Sequence, residues 1–192
     1  MAQQQTHQEY DYQFKIVMVG DRAVGKSNIL LRYMNNKFDE NTQATLGVEF
    51  SSKYIRTADG NSVIRAQLWD TVGDERFKSV SNVYLRGAVG ALLCFDVTNS
   101  LSFANLKGWL EQLRNVANQD IVILCVGNKT DLVDKRQVSK SEGEEFAINN
   151  DIGYLETSAL NGTNIDAAFL TIINRKCPSD LFAATQPNPM FC

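Results

Sequence analysis

Three short stretches carry residue types at spacings that can do chemistry. Gly20 to Ser27 reads G-D-R-A-V-G-K-S and fits G-x-x-x-x-G-K-[ST], the pattern of a phosphate-holding loop. In such a loop the backbone N–H groups point inward, at the positive end of the following helix, and bind phosphate oxygens. Gly20 and Gly25 let the chain turn and approach closely, with Asp21, Arg22, Ala23 and Val24 spanning the bend between them. Lys26 reaches the β- and γ-phosphates, the Ser27 hydroxyl suits Mg²⁺, and Asn28, next along, joins the nucleotide-binding set. A second stretch, N-K-T-D at Asn128 to Asp131, follows the apolar run V-I-L-C-V-G. The Asp131 carboxylate offers two acceptors for the N1–H and 2-amino donors of guanine; adenine has neither and would leave a charge unpaired. The Lys129 stem can cover one face of the base, and the Asn128 amide can tie loops together. Alone, the first pattern also suits a chance glycine-containing strand–helix turn, and the second a solvated turn. A strand before and a helix after the first, with about a hundred residues between the two, favour the ligand-binding reading. The third stretch, D-T-V-G-D-E-R-F at residues 70–77, gathers Asp70, Asp74 and Glu75. From residue types alone a metal ligand, a proton-transfer group or a solvated turn would each suit.

These residues need elements to position them. F-K-I-V-M-V-G, residues 14–20, reads as a buried strand and residues 27–35 as a helix. V-E-F-S-S-K-Y-I-R and S-V-I-R-A-Q-L-W flank A-D-G-N, a D-G turn that signals an antiparallel hairpin. A strand over 90–97, a helix over about 101–117, a strand over 121–127, a helix over about 139–149, a strand over 153–157 and a helix over 163–176 follow. Such alternation predicts a mostly parallel sheet covered on both faces, with its ligands at the carboxyl ends of the strands. Residues 1–12 read as a flexible leader, 13–177 as one domain, and 178–192, with Pro178, Pro187 and Pro189, as a flexible tail.

Composition excludes several classes. The chain has 192 residues, 44% hydrophobic and 21% charged, the balance of an ordinary globular domain. A formal charge of −3 supplies no basic face for nucleic acid. No apolar run approaches the ~18 residues of a membrane span. The first residues are neither basic nor apolar, and Ala2 excludes N-myristoylation, so a cytosolic compartment is expected. Cys94 and Cys125 lie in apolar strand-like runs, where a thiol acts as a small hydrophobe. No C-x-x-C pair occurs and His7 is the single histidine, which argues against zinc.

Taken together, the motifs carry a resemblance. Over about Phe14 to Cys177 the chain resembles a Rab-type small GTPase of the Ras superfamily. The phosphate loop, D-T-V-G, N-K-T-D and E-T-S-A (156–159) stand in superfamily order. Rab character rests on L-G-V-E-F (46–50), Q-L-W-D-T-V-G-D-E-R-F (67–77), Y-L-R-G-A (84–88) and D-V-T-N-S-L-S-F (96–103). The resemblance implies an α/β P-loop NTPase fold: a six-stranded, mostly parallel sheet flanked by five helices. It also implies Mg²⁺-dependent binding of GTP and GDP, and two mobile switch segments. Thr45 would ligate Mg²⁺ and touch the γ-phosphate only in the GTP state, Asp70 would hold a metal-bound water, and the Gly73 amide would meet the γ-phosphate. Phe38 would lie against guanine, the Ala159 amide would donate to its O6, and Ser158 and Leu160 would complete that end. Lys26, Thr45 and Asp74 would form the catalytic group. Implied partners are effectors at the switch segments, an exchange factor and a GTPase-activating protein. The setting implied is vesicle trafficking on the cytosolic face of endomembranes, and the state a monomer. Phe50, Trp69 and Tyr84 match the apolar effector triad of Rabs, though core packing explains such aromatics equally well.

The chain departs from the family pattern at several places. Asp74 stands where relatives that hydrolyse GTP efficiently carry Gln to orient the attacking water. An ionised Asp only accepts hydrogen bonds, is one methylene shorter and faces a negative phosphate. Arg22 and Ala23 replace small residues, often Ser-Gly, and Arg22 would crowd an incoming arginine finger. Val72 replaces the customary Ala, and Leu160 the customary Lys. Slow GTP hydrolysis is the expectation, with a nucleotide-holding module without useful turnover as the alternative. Arg22 would restore turnover if it supplied positive charge itself or paired with Asp74. The tail ends in one cysteine, Cys192, outside a C-a-a-X box, and no Lys or Arg follows Lys176. One lipid there would give only marginal, reversible membrane binding.

Overall fold

The computed structural model describes residues 9–42, 45, 47–57, 60–73 and 78–177, the side chains of 78–81 excepted. Asp74, Glu75, Cys192, residues 1–8 and the tail 178–192 lie outside the described residues. The strands are β1 (Tyr12–Val19), β2 (Glu49–Arg56), β3 (Val63–Asp70), β4 (Gly90–Asp96), β5 (Val122–Asn128) and β6 (Gly153–Glu156). The helices are α1 (Lys26–Asn35), α2 (Lys78–Leu85), α3 (Ser100–Ala104), α4 (Leu106–Val116), α5 (Lys140–Asn149) and α6 (Ile165–Lys176). One six-stranded sheet has the order β2-β3-β1-β4-β5-β6. Only β2 runs antiparallel to its neighbour; every other pairing is parallel.

The apolar runs become central strands because both faces are covered. In β1, Ile16 and Met18 face one core cluster, with Ile29, Tyr33, Phe169 and Ile172 from α1 and α6. Their neighbours Val17 and Val19 face the other, with Phe95, Trp109, Leu110 and Leu113. Successive side chains point to opposite faces, so a strand buried on both reads as unbroken hydrophobicity. All seven residues of β4 are buried.

Three features differ from the sequence expectation. The helix expected over about 101–117 comes as α3 and α4, interrupted at Asn105, whose backbone N–H bonds Leu101 O and Phe103 O. Counted as one, the pair completes the five helices expected around the sheet. α2 had no prediction, because K-S-V-S-N-V-Y-L is eight residues long, shorter than the stretch over which a helical period is read. Finally, Tyr12, read as leader, opens β1, and Asp11 before it is tied to β3. Tyr12 pairs with Ile64, and Asp11 exchanges two hydrogen bonds with the Val63 backbone, at 2.8 and 2.7 Å.

The topology sets where chemistry can occur. Met18 pairs with Asp70, Asp96 with Asn128, and Gly127 with Glu156. The carboxyl ends of β1, β3, β4, β5 and β6 thus share one edge, and the segments leaving them carry all three motifs.

Candidate nucleotide-binding site

At that edge lies a cavity of about 790 Å³. Gly25, Lys26, Ser27 and Thr45 line one end; Phe38, Lys129, Asp131 and Leu160 line the other. Its volume falls in the range of small-molecule sites, roughly 300–1,000 Å³.

The phosphate loop leaves β1 at Gly20, where φ is 137° and a Cβ would stand 2.1 Å from Cys94 O. No side chain fits there. Gly25 has φ 97°, and a Cβ on it would strike Asn128 Nδ2 at 2.4 Å. Ala23 holds φ 64°, a left-handed conformation costly for a residue with a Cβ. Lys26 is 6% exposed, and its ammonium donates to Gly20 O and Asp21 O, both at 2.8 Å. Burial lowers the pKa of this lysine, and the nearby Asp70 and Asp21 charges oppose that shift. A Cβ on Gly73 would lie 2.4 Å from Lys26 Nζ, so this backbone passes directly over the loop. Arg22 and Val72 line the same cavity, Arg22 exposed to solvent. The Asp21 side chain turns outward instead, to Asn105 and Trp109.

Three oxygen-bearing side chains meet beside Lys26. Ser27 Oγ donates to Asp70 Oδ2 at 2.5 Å and lies 3.0 Å from Thr45 Oγ1. Asp70 is fully buried, yet its Oδ1 has no hydrogen-bond partner. Burial pushes the Asp70 pKa up, against the Ser27 hydrogen bond and the Lys26 charge, which lower it. An orphaned carboxylate oxygen beside two hydroxyls fits a hard cation that keeps its waters and takes its other ligands from phosphates. Among the described residues no group of three or more His, Cys, Asp or Glu could hold a metal alone. Mg²⁺ shared with a nucleotide requires none.

At the other end Asn128 joins three segments. It is 1% exposed; its Nδ2 donates to Val24 O at 2.9 Å, and its Oδ1 accepts from Thr157 Oγ1 at 3.2 Å and Ala159 N at 3.3 Å. The Ala159 amide, which the resemblance assigns to guanine O6, is thus engaged with Asn128 in this structure. Ser158 Oγ donates to Asp131 Oδ1 at 2.5 Å and orients that carboxylate. Leu160 is 44% exposed at the rim. Phe38 lines the cavity while packing on the core.

Sequence reasoning missed three supports of this site. Lys129 has φ 69°, and its ammonium pairs with Asp96 Oδ2 at 2.6 Å, which anchors the stem. The clue was a carboxylate at the carboxyl end of a central strand. Arg32 on α1 donates to Ala159 O at 2.8 Å and to Leu160 O at 2.5 Å. No local pattern announces that contact. Asn28, placed in the nucleotide-binding set, lines the cavity and also holds the segment that follows α1. Its Nδ2 donates to Asp39 O and Thr42 Oγ1, and its Oδ1 accepts from Asp39 N. Farther out, Trp69 lies between Phe50 and Tyr84, with ring centroids 4.9 and 5.8 Å away, and Phe50 is 47% exposed.

A doubly covered, mostly parallel sheet with a phosphate-loop motif, an acid–hydroxyl corner and an N-K-x-D motif at one edge defines a small GTPase. The Ras family model matches residues 15–177, and the chain belongs to that family. Its similarity is to Rab-type members. It is 51% identical over 162 residues to the Ras-related protein Rab-11C of Dictyostelium discoideum, covering 84% of this chain and 71% of that one. It is 47% identical over 165 residues to the GTP-binding protein ypt3 of Schizosaccharomyces pombe, covering 86% and 76%.

Proposed function

We propose that this chain is a Rab-type GTP/GDP switch of vesicle trafficking whose own hydrolysis of GTP is slow. The observation that carries the nucleotide reading is a single one: the phosphate grip and the guanine grip close the two ends of one cavity, and Asn128 ties them together. Lys26 and the loop amides hold the β- and γ-phosphates, while Asp131 selects guanine. Ser27, Thr45 and Asp70 would hold Mg²⁺, which when bound offsets phosphate charge. Thr45 and the Gly73 amide lose their γ-phosphate contacts after hydrolysis, and both switch segments relax. Effectors reading that change would meet Phe50, Trp69 and Tyr84. The test is a titration of nucleotide-free protein with GTP and ATP, with and without Mg²⁺. The expected result is GTP binding at least a thousandfold tighter than ATP, weakened by chelation; equal affinity for the two would refute the reading.

Slow turnover rests on residue chemistry. Asp74 cannot donate to a phosphate oxygen while it orients water, and Arg22 lies exposed at the cavity where an arginine finger would enter. In single-turnover hydrolysis of bound GTP, Asp74→Gln is expected to be at least about tenfold faster than the natural chain, since positioning of the water is a main lever of this reaction. A natural rate equal to or above that of the variant would exclude slow hydrolysis. No turnover in either protein, with no GDP release on adding an exchange factor, would favour the nucleotide-holding module. No helix among the described residues is long and apolar enough to cross a membrane. A lipid at Cys192 would favour attachment to the cytosolic face of endomembranes, and an unshifted intact mass from the native cell would exclude that lipid.

A further inference from the structure

Asp21 directly follows Gly20 at the start of the phosphate loop and brings a carboxylate next to the phosphate end of the site. Its main-chain oxygen accepts from Lys26, the ammonium that serves the β- and γ-phosphates, at 2.8 Å. The backbone passing at Gly73 lies against it as well, since a Cβ there would stand 2.5 Å from Asp21 O. A carboxylate free to rotate at this point would seek the Lys26 ammonium and repel the incoming phosphates. Like charges in a partly buried site interact strongly, because solvent screens them little.

Both oxygens of Asp21 are occupied instead. Oδ2 accepts from Asn105 Nδ2 and Oδ1 accepts from Trp109 Nε1, each at 2.7 Å. Asn105 stands at the break between α3 and α4 and Trp109 one turn later, so the two side chains share a helix face. The indole N–H can only donate, and toward a carboxylate only the NH₂ end of an Asn amide can donate. Trp109 is 2% exposed, so its N–H needs an acceptor inside the fold. Each group meets the need of the other.

We infer that Asn105 and Trp109 are positioning residues for phosphate binding: they hold the Asp21 carboxylate away from the phosphates, leaving its backbone to the loop and Lys26 to the nucleotide. The inference rests on the guanine-nucleotide reading above. It makes two demands that ordinary packing does not. The penalty for losing these donors should grow with phosphate charge, and it should vanish once Asp21 is made neutral.

The experiment measures Mg²⁺-dependent affinities of the full chain for GTP, GDP and GMP. The variants are Asn105→Ala, whose side chain is exposed and puts folding at little risk, and Trp109→Phe, which keeps the ring and removes the N–H. Each is made in the natural background and with Asp21→Asn. The expected result for each donor variant is about a tenfold loss for GTP, a smaller loss for GDP and little for GMP. With Asp21→Asn present, each should come within about twofold of Asp21→Asn alone. A loss equal across the three nucleotides, a loss that persists with Asp21→Asn, or no loss in Asn105→Ala overturns the inference. Failure of the natural chain to bind any guanine nucleotide would instead overturn the nucleotide reading on which it rests.

Discussion

Replacing Asn128 with Ala is expected to weaken GDP and GTP binding by about a hundred- to a thousandfold and to lower the melting temperature of the nucleotide-free protein. The side chain is buried at 1% exposure and makes three hydrogen bonds, to Val24 O, Thr157 Oγ1 and Ala159 N. Alanine removes the bonds and leaves a carbonyl, a hydroxyl and an amide without partners. A buried polar group left unpaired costs about 1–3 kcal/mol, so three bring the loss to several kcal/mol before any relaxation. Water entering the gap would recover part of this. What it cannot recover is registration: the phosphate loop and the base loop would no longer be fixed to each other, and a ligand held at both ends would have to order them on binding. Thermal melting with and without GDP, together with the GDP dissociation rate, measures both parts. A lowered melting temperature with unchanged nucleotide affinity would show that Asn128 serves the fold alone.

The second large effect is expected at the base. Asp131→Ala should leave ATP affinity nearly unchanged while GTP affinity falls by two to four orders of magnitude. The carboxylate can accept from two guanine donors, and hydrogen bonds to a charged group are worth about 1.5–3 kcal/mol each. Two such bonds amount to about 3–6 kcal/mol, and each 1.4 kcal/mol is tenfold in affinity. Ser158 fixes the orientation of the group through its 2.5 Å bond to Oδ1, so Ser158→Ala should reproduce a small part of the effect. Competition between labelled GDP and unlabelled GTP or ATP gives the ratio directly. If Asp131→Ala kept its preference for GTP, guanine would have to be recognised elsewhere in the cavity.

The contrast between these residues and others in the site shows what a sequence can disclose. The phosphate loop was legible because its geometry is local. Eight consecutive residues, a strand before and a helix after specify it, and glycines stand at Gly20 and Gly25 where φ is 137° and 97°. The core strands were legible too, since burial on both faces leaves continuous apolar runs such as β4. The helix over 101–117 was readable as an amphipathic stretch, but its interruption at Asn105 was not. α2 escaped because eight residues are too few for a period to stand out. Leader and domain were divided one strand residue late because Tyr12 and the edge pairing of Asp11 belong to a contact with β3, not to local composition.

The sequence by itself determined the fold class, the kinds of groups at the nucleotide site and the three short motifs that carry them, because those depend on neighbours along the chain and on the periods of strand and helix. Tertiary structure alone decided which groups would touch. Asn128 reaches Val24 across 104 positions, Arg32 reaches Ala159 across 127, and Asp21 meets Trp109 across 88. Periodicity says which face a side chain occupies but not what stands opposite it. That follows from the strand order and register, which bring the carboxyl ends of five strands to one edge and set distant side chains within hydrogen-bond reach.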